Sequence, residues 1–116
     1  LPFLTHARAT LYVNLEEAGL LCQSEFTTSQ EAAAGLLARG ALRVLVTDGG
    51  RAATEADASA TITQTPPAVL VTRVTGAGDT FMAAHIAAES SGGTRAAALN
   101  RALHAAATYV SGESPL

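Results

Sequence analysis

The stretch Val74-Thr75-Gly76-Ala77-Gly78-Asp79-Thr80-Phe81 decides how this chain is read. Two glycines and an alanine leave a turn almost without side-chain bulk, so backbone N–H groups can come close to a ligand. An acidic residue follows at once, and then a run predicted as helix from Thr80 to Glu89. A helix opening on such a turn presents unpaired N–H groups and the positive end of its dipole, and both attract anions. A carboxylate beside an anion cradle is out of place in a simple binding site, because it repels the anion. It makes sense where Asp79 takes a proton from a nucleophile while the N–H groups hold the charge that builds up opposite. That is the layout of a phosphoryl-transfer centre.

Composition narrows the alternatives. At 116 residues, 48% hydrophobic and 15% charged, the chain suits one small, well-buried domain. The net charge of −3 comes with no basic cluster, which argues against nucleic acid as a partner. No apolar run reaches membrane-spanning length and no signal pattern opens the chain, so no membrane partner is expected. Cys22 is the only cysteine, which fits a buried thiol and a cytoplasmic location. All seven basic residues are arginines. Without lysine there is no Walker-type phosphate loop, no protein-kinase strand lysine and no Schiff-base chemistry. The dinucleotide fingerprint fails too, since no Gly-x-Gly-x-x-Gly follows a strand.

Upstream of the turn, Thr10 to Val13 reads as a short strand. Asn14-Leu15-Glu16-Glu17 opens a helix to about Gln23, and Asn14 with Glu17 forms a capping box. Thr28-Ser29-Gln30-Glu31 is a second box, starting a helix that ends at Gly40 with Ala33, Leu36 and Leu37 on its core face. Ala41 to Val46 is a buried strand, and Thr47-Asp48-Gly49-Gly50 turns out of it, on local grounds a tight Asp-Gly hairpin turn. Arg51 to Glu55 and Ala60 to Thr65 form a β-meander at the sheet's rim. Pro66-Pro67 stiffens the approach to a strand from Ala68 to Thr72 that delivers the chain into the Gly-Ala-Gly turn. Beyond it, Phe81, Ala84 and Ala88 line one helix face, and Thr94 caps a last helix to about Val110. His6, His85 and His104 are too scattered for a metal triad. His85 reads as a packed or surface histidine.

The turn and its order in the chain resemble the C-terminal motif of the ribokinase-like (PfkB-type) carbohydrate and nucleoside kinases, Asp-Thr-x-Gly-Ala-Gly-Asp followed by an aromatic or apolar residue. The resemblance spans most of the chain, but only the later part of a family member. It implies a three-layer α/β/α, Rossmann-like fold, here a mostly parallel sheet with a small meander. Residues 1–116 would be the nucleotide-binding and catalytic portion, the substrate and lid part lying upstream. It makes Asp79 the catalytic base, and Gly76, Ala77 and Gly78 the anion hole. Thr47 and Gly49 match the family's Thr-x-Gly-x-x-Gly loop near the nucleotide, although Ala52 stands where the last glycine belongs. Thr75 falls beside the same ligand, and His104 in the helix bordering the adenine pocket.

Asn14 and Glu17 match the family's Asn-x-x-Glu motif, which organises magnesium and phosphate through water; one pair can serve as cap and as motif. The implied activity is ATP- and Mg2+-dependent phosphorylation of a sugar or nucleoside hydroxyl, with room for a homodimer. Arg73 replaces the usual acidic residue of the motif close to a monovalent-cation site, which sets potassium activation in question. The Asn-Leu-Glu-Glu-Ala run and the Val-Thr variant resemble pseudouridine kinases within the family. Two other readings stay open: a catalytically incomplete nucleotide-binding piece of a larger kinase, and a family-like scaffold in which Gly76–Gly78 is only a tight turn.

Overall fold

The computed structural model describes residues 10–69 and 76–112. Their element order is β1 (Thr10–Asn14), α1 (Leu15–Cys22), α2 (Ser29–Ala38), β2 (Arg43–Thr47), β3 (Ala53–Asp57), β4 (Thr61–Gln64), α3 (Ala77–Ser90) and α4 (Arg95–Val110). The chain packs as two units, Leu1–Thr63 and Gln64–Leu116.

In the first unit the strands lie in the order β1-β2-β3-β4. β1 and β2 are parallel, Thr10 opposite Arg43 and Asn14 opposite Thr47, so the chain must cross over between them, and α1 and α2 make that crossing. β2 and β3 are antiparallel, with Val46 opposite Thr54. The predicted meander is present, and the sheet of the described residues is mixed. The turn after β2 is wider than a two-residue hairpin. Residues 48–52 make the connection, the N–H of Arg51 bonds the carbonyl of Asp48 at 2.9 Å, and Gly49 takes φ 57°. Of the predicted strand 68–72, Ala68 and Val69 have no regular structure, and the rest lies outside the described residues.

Alternation along β2 and β3 explains the core. Val44, Val46 and Ala56 meet Ala18, Cys22, Ala32 and Leu36 of α1 and α2. Leu45 and Glu55 alternate to the opposite face and are buried as well. Cys22 is the buried thiol expected.

The cap of α1 is a full capping box: Asn14 Oδ1 accepts from Glu17 N at 2.7 Å, and Glu17 Oε1 accepts from Asn14 N at 2.9 Å. That of α2 is only half a box. Thr28 Oγ1 accepts from Glu31 N at 3.1 Å, but the Glu31 carboxylate reaches back one residue too far, to the N–H and hydroxyl of Thr27. Gly40, at φ 101°, ends α2, and Gly40 N and Ala41 N bond the carbonyls of Leu37 and Leu36.

A hydroxyl relay ties the start of α2 to the meander. Ser29 Oγ donates to the carbonyl of Ala52 at 2.8 Å, and a carbonyl can only accept. That fixes every other proton: Thr54 donates to Ser29 at 2.8 Å, Thr63 donates to Thr54 at 3.1 Å, and Gln30 Nε2 donates to Thr63 at 3.0 Å. Thr54 is fully buried, so Ser29→Ala leaves its hydroxyl with Thr63 alone and takes the donor away from the Ala52 carbonyl. The expected loss is about 1–3 kcal/mol, read from denaturant unfolding of the two chains. Unchanged stability would show that the relay contributes nothing.

The second unit contains an antiparallel pair of helices joined by residues 91–94. Gly92, at φ 88°, closes α3, with Gly92 N and Gly93 N bonding the carbonyls of Glu89 and Ala88. Thr94 Oγ1 then accepts from Ala97 N at 3.1 Å to start α4. Ala88, Ala98, Ala102 and Ala107 are buried with Phe81, Leu99 and Leu103, and the small side chains let the two helices approach closely. Phe81 and Ala88 are buried as predicted, and Ala84 is half-buried. His85 is a packed histidine: fully buried, stacked on Phe81 with centroids 6.2 Å apart, its Nδ1 3.8 Å from Glu89 Oε1.

Candidate functional site at the start of the third helix

Helix α3 begins at Ala77, three residues before the predicted start at Thr80. Gly76 is its N-cap, at φ 94° and ψ −4°, a left-handed conformation that glycine adopts without penalty. No side chain caps the helix, and its first internal bond runs from Thr80 N to the carbonyl of Gly76 at 3.0 Å. The N–H groups of Ala77, Gly78 and Asp79 precede that bond and have no intrahelical acceptor. Among the described residues none of the three donates to a carbonyl or a side chain. Gly78 and Asp79 are exposed, and a Cβ built on Gly78 would meet nothing within 4 Å.

The chemistry of this turn follows from that geometry. Three adjacent N–H groups and the helix dipole offer positive potential to an anion, and the open space at Gly78 lets it approach. The Asp79 carboxylate stands on the same turn, in solvent, where it can accept a proton. Donors of this kind, in front of an unobstructed glycine, suit phosphate oxygens. Thr75, Val74 and Arg73 lie outside the described residues. His104 is exposed on α4, with Nδ1 2.9 Å from the carbonyl of Asn100, a contact that requires Nδ1 to carry the proton.

In the first unit the remaining candidates come together. Asn14 and Thr47 are register partners at the ends of β1 and β2, so Asn14, Glu17, Thr47 and the Gly49 loop share the C-terminal edge of the parallel pair. Ligands of open α/β sheets bind at that edge. Glu17 uses Oε1 for the cap, which leaves Oε2 for a metal-bound water. The donor set therefore fits magnesium as an outer contact, not as a closed cage of protein ligands. A groove of about 850 Å³ runs beside α1, lined by Leu15, Glu16, Leu20, Phe26, Thr27 and Asp48. A smaller one of about 180 Å³ lies over the start of α2, where Arg51 and Asp48 face Thr27, Gln30 and Thr63. Sequence reading did not single out Arg51. Its signal is its place two residues after Gly49, in a loop whose width only the structure gives.

The family model for pfkB family carbohydrate kinases matches residues 6–115. The chain belongs to the pfkB family. Among solved structures, the ribokinase of Thermotoga maritima is 28% identical with a TM-score of 0.78, over 88% of this chain and 35% of that one. The Arabidopsis thaliana ribokinase, solved with ribose and ATP, is 31% identical with a TM-score of 0.78, over 87% of this chain and 34% of its own. A candidate ribokinase II from Escherichia coli, solved with ATP and Mg2+, is 30% identical with a TM-score of 0.75, over 91% and 34%. This pfkB-family chain thus spans about a third of the length of the structures it matches, and its fold is ribokinase-like. Among curated proteins none is similar enough in sequence to count as a relative. No described helix is long and apolar enough to cross a membrane.

Proposed function

We propose that this chain carries the phosphoryl-transfer end of an ATP-dependent kinase acting on a sugar or nucleoside hydroxyl. The observation that carries the reading is the first turn of α3, where three N–H groups without a protein acceptor among the described residues stand beside the exposed Asp79 carboxylate in a pfkB-family chain. Asp79 accepts the proton of the acceptor hydroxyl. The new O–P bond forms as the bond to the leaving ADP oxygen breaks, and the N–H groups of Ala77, Gly78 and Asp79 stabilise the charge on the transferring group. Gly76 shapes the turn. Thr47, Gly49, Thr75 and His104 contact the nucleotide. Asn14 and Glu17 orient water around magnesium, which supplies charge neutralisation on the ATP phosphates when bound.

The ribose and ATP of the Arabidopsis ribokinase structure and the ATP and Mg2+ of the Escherichia coli structure support this choice of ligands. The deciding experiment is calorimetric titration of the chain with MgATP, followed by an ADP-release assay over pentoses, hexoses and nucleosides, pseudouridine included. Binding with acceptor-dependent ADP release supports the kinase. Binding without it supports the second reading, a nucleotide-binding portion of a larger kinase, which the one-third coverage of the relatives favours. No binding overturns both.

Glu17→Gln separates cap from metal. The amide keeps the oxygen that accepts from Asn14 N, so stability is expected to stay within about 0.5 kcal/mol. The Mg2+ concentration for half-maximal ATP binding is expected to rise about tenfold, as for other groups that act on a metal through its water. An unchanged Mg2+ requirement would leave Glu17 as a cap alone.

A further inference from the structure

We propose that Tyr109 is a positioning residue for the α3 turn, a role that rests on the reading of that turn as a phosphate-binding site. Tyr109 lies in the last turn of α4, far along the chain from Gly76, but the antiparallel pairing of α3 and α4 brings the end of one helix to the start of the other. A Cβ built on Gly76 would lie 2.5 Å from Tyr109 Oη, 3.1 Å from Cζ and 3.5 Å from Cε1. The tip of the phenol therefore fills the volume that any side chain at position 76 would need.

Gly76 is the N-cap at φ 94°, and its peptide sets the direction in which the N–H groups of Ala77, Gly78 and Asp79 point. A glycine in that conformation has no side chain of its own to hold it, and no side-chain cap anchors the helix start. The half-buried ring of Tyr109 is the rigid surface against which the turn rests. It touches no substrate. It fixes the orientation of donors whose value depends on being aimed before the ligand arrives.

The experiment follows the backbone amide resonances of residues 77–79 in the 116-residue chain, free and titrated with MgATP, for the wild type, Tyr109→Phe and Tyr109→Leu. In the wild type the three resonances are expected to move on titration. Tyr109→Leu is expected to displace them already in the free chain and to weaken MgATP about tenfold, the low end for groups that orient ligands from behind. Tyr109→Phe removes Oη but keeps Cζ and Cε1 beside Gly76, and is expected to shift the free-state resonances and the affinity less than Tyr109→Leu does. A purely structural role would lower the melting temperature but leave the free-state resonances and the affinity of the folded chain unchanged, and that result overturns the proposal. If Tyr109→Leu does not fold, Tyr109→Met is judged by the same criteria. A wild-type chain whose 77–79 amides ignore MgATP removes the site, and the positioning role with it. A wild type that responds, with Tyr109→Leu responding equally, removes only the role of Tyr109.

Discussion

Asp79→Asn is expected to leave MgATP binding within a few-fold of wild type and to lower the rate of phosphoryl transfer by about 10²–10⁴-fold, the contribution of a positioned base. In barrier height that is about 2.7–5.5 kcal/mol. Asparagine matches the shape of aspartate and removes only the proton acceptor. Two competing effects are too small to imitate the loss. Asp79 is exposed, so no packing is disturbed. A carboxylate in the first turn of a helix stabilises it by only about 0.3–1 kcal/mol, which an unfolding curve would register separately. Losing one N–H donor of a comparable site costs about 10²–10³-fold, so base and donors contribute on the same scale. The check is the ADP-release rate beside the calorimetric affinity. Full turnover in Asp79→Asn would sink the assigned role, and a collapse of binding with turnover would move Asp79 from chemistry to ligand binding.

The largest expected effect on stability belongs to Arg43→Ala. Arg43 Nη2 lies 3.0 Å from Glu55 Oε2, and the Glu55 side chain is fully buried while that of Arg43 is 23% exposed. The two residues stand on neighbouring strands, one pleat apart along the same face. A buried carboxylate is tolerable only with compensation, and removing one partner of such a pair costs about 3–5 kcal/mol. The partial exposure of Arg43 puts the expected loss near the lower figure. Adding Glu55→Gln to Arg43→Ala removes the buried charge that Arg43 faced and is expected to recover about 1–2 kcal/mol. Urea unfolding of the single and double variants tests both claims. An Arg43→Ala chain as stable as wild type would mean that Glu55 draws its compensation elsewhere.

What could be read from sequence was what the chain settles within a few residues. The Asn14–Glu17 box, the Thr28 and Thr94 caps and the glycine stop at Gly40 each depend on partners three to five positions away. Glu31 shows the limit even there: an extra residue of reach takes its carboxylate to Thr27, a choice of rotamer that no spacing rule encodes. The start of α3 was misplaced because Gly78 and Asp79 favour turns, and only the left-handed Gly76 brings them into helix. Burial of Glu55 was invisible, since its partner Arg43 comes from another strand. The neighbourhood of Asn14 and Thr47 likewise exists only once β1 and β2 pair in register.

The short connection between α3 and α4 also bears on the order of events as the polypeptide folds. Contacts within this helical hairpin close a loop of only residues 91–94, whereas β1 cannot meet β2 until the chain has passed through α1 and α2. Local closures take about 10–100 ns, and pairings distant in sequence are slower because more chain entropy is lost before any contact rewards it. The end of the hairpin beside residues 91–94 can therefore close before β1 pairs with β2, and the Ala77–Asp79 turn at its far end is ordered only once the two helices have zipped together as far as Gly76 and Tyr109.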